Sequence, residues 1–168
     1  MKKLVIVVAL IFLTPAVFGQ AQDFRTHGLF MYSFTRFVQW PPEESTGDFE
    51  IAVLGESPIV NEFKAMAEKK KAGTRTIKVS KIATLAEYKK CHILYIPSDW
   101  TAKFQEITAK IGDSPVLLVT EQAAVANKGC INFVSNKEGK LAFEMNQALM
   151  SKHKLRASAE LSRLAIIN

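Results

Sequence analysis

Apolar residues Phe24, Leu29, Phe30, Phe34, Phe37 and Val38 recur at roughly helical spacing between Asp23 and Trp40, and Pro41-Pro42 forbid the helix from running further. After a polar turn from Glu43 to Asp48, Phe49 to Leu54 is β-rich and ends at Gly55, which reads as a buried strand. Ser57-Pro58 offers an N-cap and a first-turn proline for a helix through Lys71, stopped near Gly73. The alternation continues with a strand over 76–82, a helix over 85–90, a strand over 92–96, a helix over 101–111 closed by Gly112, and a strand over 115–120. Strands separated by helical crossovers join most readily in parallel, so the middle of the chain predicts a doubly wound α/β sheet.

The last third has a different pattern. Two β-like runs, 130–135 and 140–144, flank Asn136-Lys137-Glu138-Gly139, which has the residues of a hairpin turn. Asn146 then caps a helix over 147–153, and Ser158 caps a last one through Ile166. The expected fold is a single α/β domain over 22–168: a mostly parallel sheet flanked by helices, with a C-terminal β-hairpin and helices.

The start of the chain belongs to a different physical class. Lys2 and Lys3 precede an apolar run from Leu4 to Leu13, followed by Thr14, Pro15 and small residues up to Gly19 and Ala21. A positive end, a short greasy stretch and a small-residue exit predict a secretion signal over 1–21, cleaved after Gly19 or Ala21. Spanning a bilayer takes about 20 apolar residues, more than this run supplies before Pro15. No cysteine stands near the exit to carry a lipid anchor.

Formal charge is +6, of which Lys2 and Lys3 supply two. The bases are scattered among acids, apart from Lys69-Lys70-Lys71 and the stretch Lys152, Lys154, Arg156. Solvated helix ends explain such clusters, and with export expected, nucleic acid is not an expected partner.

The chemistry-bearing residues form no recognisable catalytic pattern. His27, His92 and His153 lie far apart, and Cys91 and Cys130 lack C-x-x-C spacing, so no metal or cofactor is expected. Ser57 and Ser98 stand in no G-x-S-x-G elbow. Cys91 and His92 are adjacent on a strand and so point to opposite faces, which unsuits them as nucleophile and base. A non-enzyme is the expectation. The loop Gly55-Glu56-Ser57-Pro58 sits where open α/β sheets bind ligands, which makes Gly55 and Ser57 the alternative: an exported module binding a small anion or nucleotide. The cysteines open the third and fifth strands. With one strand between them they stand about 10 Å apart, too far for a bond unless the strand ends converge, so an intrachain disulfide, buried free thiols and an intermolecular bond all remain open.

Five blocks, in order, resemble those of the YfiR/HmsC family: Tyr32-Ser-Phe-Thr-Arg-Phe-Val-Gln-Trp-Pro41, Ile51-Ala-Val-Leu-Gly55, Cys91-His-Ile-Leu-Tyr-Ile96, Gly129-Cys-Ile-Asn-Phe-Val134 and Leu141-Ala-Phe-Glu-Met-Asn146. The resemblance covers essentially the whole chain after the signal. It implies a Rossmann-like or flavodoxin-like fold and a periplasmic regulator that binds the sensor region of a membrane diguanylate cyclase, lowering cyclic di-GMP and biofilm formation. It also implies a tendency to form homodimers and, in some relatives, a response to cysteine oxidation. Many relatives carry a cysteine in the first strand, where this chain has Ala52, and that cysteine is the implied partner of the one matching Cys91.

A protein of this kind works by contact, with a cyclase or a histidine kinase sensor region as its expected membrane partner. The candidate contact residues are Trp40, Glu144, Lys152, Lys154 and Arg156. Trp40 is expected to pack on the core, an exposed anchor being the alternative. Glu144 should point away from Phe143 toward solvent.

Overall fold

The computed structural model describes residues 24–166. The segment read as a secretion signal lies outside them. Five helices, α1 (Arg25–Phe37), α2 (Ile59–Lys69), α3 (Phe104–Ile111), α4 (Gln147–Lys152) and α5 (Ala159–Leu164), accompany nine strands. The strands are β1 (Val38–Gln39), β2 (Phe49–Leu54), β3 (Lys71–Ala72), β4 (Arg75–Ile82), β5 (Ile93–Ile96), β6 (Leu117–Glu121), β7 (Ile131–Ser135), β8 (Leu141–Met145) and β9 (Arg156–Ala157). Seven of them form one sheet in the order β3-β4-β2-β5-β6-β7-β8. The five inner strands are parallel, and the two outer ones, β3 and β8, are antiparallel. β1 and β9 pair separately.

Taken in chain order, the parallel strands follow the 2-1-3-4-5 arrangement of flavodoxin-like folds, with a switch point between β2 and β5. The chain steps one way from β2 to β4 and the other way from β5 to β6. Right-handed crossovers therefore place α2 and α3 on opposite faces. α1 joins α2. Its Phe30 and Phe34 meet Phe133 and Phe143 of the hairpin with ring centroids 5.3 to 5.9 Å apart, while Phe63 of α2 packs edge-on against Tyr95. On this face His27 of α1 comes within 3.3 Å of Glu121, which also accepts a 2.7 Å hydrogen bond from the Tyr95 hydroxyl.

Several boundaries differ from those predicted. The first helix stops at Phe37 because Val38 turns extended to pair with β9. α2 ends at Lys69, and Lys71-Ala72 fold back as β3 through a turn at Gly73, φ +63°. The predicted helix over 85–90 is one 3-10 turn, Leu85–Glu87, none of it buried, too short and too polar to pack as a helix. The helix over 101–111 starts as a 3-10 segment, Ser98–Lys103, before α3 takes over. The last helix ends at Leu164, and Ile166 bridges to Glu144 at the outer edge of β8. Asn146 and Ser158 cap their helices as predicted, accepting from Leu149 and Leu161 N–H groups at 2.9 and 3.2 Å. Ser57 is not the N-cap residue of α2, although its hydroxyl accepts from the Ile59 N–H.

Candidate functional site

In a doubly wound sheet the β6-to-β7 crossover should lay a helix on the α3 face. Here residues 122–130 contain only one 3-10 turn, Val125–Asn127. The sheet over β7 and β8 is left open on that side, and polar residues line it. Asn132 and Glu144 stand directly opposite each other in the β7–β8 register, on the side away from Phe133 and Phe143.

The open face is held by a chain of hydrogen bonds. Gly129 N–H donates to Thr120 Oγ1 at 3.0 Å, and the Thr120 hydroxyl donates to Asn132 Oδ1 at 2.9 Å. Asn132 Oδ1 also accepts from Ala123 N–H, and its Nδ2 donates to Glu144 at 3.0 Å. Lys128 completes the chain with an ion pair to Glu144 at 2.7 Å. Thr120 and Asn132 are buried, so the bonds among Gly129, Thr120, Asn132 and Ala123 are made away from water, where leaving one unmade is costly. Gly129 is required sterically: a Cβ there would stand 2.5 Å from the Leu118 carbonyl oxygen.

The Lys128–Glu144 pair separates two depressions. One, of about 580 Å³, runs toward Asn146, Ser162 and Ile166. The other, of about 490 Å³, runs toward Gln122, Val134 and Ser135. Val125 belongs to both and is 84% exposed, an apolar knob on the rim of a groove whose walls are partly apolar, with Met145 and Ile166 among them. Among the described residues no group of three His, Cys, Asp or Glu side chains is placed to hold a metal ion. The described residues that line the groove supply shape, apolar side chains, one ion pair and amide groups.

At the switch point the molecule fills the crevice itself. Gly55 has φ +74°, and the space above its Cα is occupied by the indole of Trp100, with Lys103 4.8 Å from the centre of the ring. The Gly55–Ser57 loop thus meets a side chain of its own chain where a ligand would lie.

A family model described as YfiR/HmsC-like matches residues 25–166. The chain belongs to the YfiR/HmsC-like family. Comparison with curated proteins finds no match. YfiR/HmsC-like proteins are periplasmic, non-catalytic regulators, and the hairpin carrying Asn132 and Glu144 lies inside the matched region. Among the described residues no helix is long and apolar enough to cross a membrane.

The other residues singled out from sequence are dispersed over the YfiR/HmsC-like domain. Trp40 sits at the N-terminal end of β5, its indole N–H donating to the His92 carbonyl at 3.3 Å and its ring edge-on to Phe49. Lys152, Lys154 and Arg156 are exposed, and none of them lines the groove. Glu144 does turn from Phe143 but is half-buried in its ion pair, a correction to the solvent-facing side chain expected from alternation alone. Lys128, Asn132 and Val125 escaped sequence reasoning. Asn132 was within reach, because the Asn136–Gly139 turn fixes the register that sets it beside Glu144; nothing in the sequence marks Lys128.

Cys91 and Cys130 are free and buried, with β6 between the strands they precede. Burial pushes both thiols up to about 12, Cys91 against the opposing pull of the Tyr88 hydroxyl and the Ala52 backbone. They stay protonated at neutral pH and are poor nucleophiles. His92, on the other side of the strand from Cys91, accepts from Glu50 N–H through Nδ1 and faces the Arg75 guanidinium.

Proposed function

We propose that this protein is a periplasmic, non-enzymatic regulator that binds the extracytoplasmic sensor region of a membrane diguanylate cyclase and holds it in a low-output state, lowering cyclic di-GMP and biofilm formation. A regulator without chemistry can shift its partner only by binding one conformation more tightly than another. A shift from one dominant state to the other needs a preference of about 10⁴-fold.

The observation that supports this reading is the groove over β7–β8, left open by the missing helix and placed within the family match. Its Lys128–Glu144 pair is half-buried before any partner arrives, so part of the desolvation cost is already met. Exposed Val125 supplies an apolar anchor beside it.

The test is a titration of the exported protein against the sensor region of a cyclase encoded beside it, with Val125→Asp and Glu144→Arg variants. The expected result is tight binding by the parent and a loss of about 100-fold or more in each variant, equivalent to about 2.7 kcal/mol. Tight binding unaffected by either change moves the contact elsewhere on the molecule. Absence of binding by the parent, with unchanged cellular cyclic di-GMP when its gene is deleted, overturns the regulator itself.

A further inference from the structure

The opposite side of the sheet carries a second surface of different character. α1 and α2, with Lys70 and Lys71 that follow them, and β9–α5 beside α1 together hold eight Lys and Arg side chains against three carboxylates, Glu62, Glu68 and Glu160. All other described residues hold twelve bases and twelve acids. The whole net charge of the described domain therefore resides in this one helical layer.

The bases are available. Among the described residues Arg36, Lys69, Lys70 and Lys71 are exposed and have no carboxylate partner. Arg36 and Lys70 approach the Tyr32 ring to 5.9 and 5.3 Å, and Tyr32 and Arg36 line an open hollow together with Lys71 and Thr35. On α1, Leu29, Tyr32 and Arg36 lie along one stripe at helical spacing. Leu29 is 66% exposed, and Leu164 on α5 is 55% exposed. Only one other large apolar side chain among the described residues is as open to water, Val125 in the groove on the far face.

Unpaired cations around protruding leucines and a tyrosine are what an anionic lipid surface attracts: headgroups draw the charges, and the apolar tips enter the interface. We propose that the α1–α2–α5 face docks on the anionic phospholipid surface of a bilayer. The β7–β8 groove opens on the other face of the sheet, with Ser162 of α5 on its rim, so a protein seated on α1, α2 and the outer side of α5 turns the groove away from the lipid. The docking is independent of the partner assigned to that groove.

The experiment is vesicle co-sedimentation of the exported, processed protein, its N-terminus established by intact mass. Vesicles of phosphatidylglycerol and phosphatidylethanolamine are compared with vesicles of phosphatidylcholine. Each base near an anionic surface contributes about five-fold to partitioning, so Arg36→Gln/Lys70→Gln/Lys71→Gln should lower binding to the anionic vesicles by about 100-fold. Leu29→Ser should lower it further, and raised salt should release the protein. Lys137→Gln/Lys140→Gln, on the hairpin turn, should bind as the parent does. Equal binding to both vesicle types, no binding to either, or full binding by the triple variant overturns the proposal. So does protection of the patch by inorganic phosphate without any partitioning into the anionic vesicles. Circular dichroism of the variants, all changed at exposed positions, separates lost binding from lost fold.

Discussion

The indole nitrogen of Trp100 occupies the space where any Cβ at position 55 would stand. Two residues 45 positions apart thus depend on each other: the ring can lie over the switch point only because glycine is beneath it, and Gly55 also takes φ +74°, which disfavours other residues.

Gly55→Ala is therefore expected to destabilise the protein by about 2–4 kcal/mol, from overlap and backbone strain together. Adding Trp100→Ala should recover the steric part, giving a non-additive cycle in urea denaturation. Strict additivity would show that the ring moves aside freely.

Asn132 is the hub of the groove's hydrogen bonds, joining Thr120, Ala123 and Glu144. Asn132→Leu should cost about 2–3 kcal/mol, since several buried polar groups lose their partner at once. Val125→Asp, at an exposed rim position, should leave the unfolding free energy within about 0.5 kcal/mol of the parent. Comparing the two variants separates the groove's framework from its contact surface.

Both thiols should resist alkylation at pH 8 in the native protein and react in guanidinium without reductant. Burial denies the reagent access, and a thiol held up to about 12 presents almost no thiolate. Fewer than two reactive thiols in the unfolded, unreduced protein would reveal a disulfide.

Burial, and then the nearby Arg75 charge, hold His92 below the ordinary histidine range, opposed by its bond to the Glu44 carbonyl. The unfolded chain takes up a proton near pH 6.5 that the folded protein resists, so stability should fall as pH drops below about 6.5 and level off below the folded value. His92→Gln should flatten that part of the stability curve. Arg75 makes the site severe: its guanidinium donates to the carbonyls of Glu44, Thr46, Gly47 and Asp48 and cannot retreat from a charged imidazole without releasing that loop.

Periodicity and turn chemistry made much of the fold legible. Phe49–Leu54 is uniformly apolar on its buried positions, and Asn136–Gly139 permits little except a hairpin, so the strands and their order of appearance follow from local physics. What stayed hidden depends on distant partners. Val38 and Ala157 become strand residues only because they meet each other, and Leu85–Glu87 stops at a single 3-10 turn with only Leu85 resting on the core. The groove was half visible: Glu144 was marked, but its partner Lys128 comes from a loop whose path is set by the Gly129 contact with Leu118. The filled crevice was invisible, since no pattern couples Gly55 to Trp100.

The packing of Phe30 and Phe34 on Phe133 and Phe143 ties the first helix to the last strands of the sheet. A chain is made from its N-terminus, so α1 emerges with a greasy face whose resting place does not yet exist. α2 reaches it early, but Phe30 and Phe34 must wait through β2, β4, β5 and β6 before the hairpin arrives to receive them. Contacts this distant in sequence close slowly. The architecture therefore leaves this part of α1 uncovered until nearly all of the chain has been made, and the last hairpin is the clasp that closes over it.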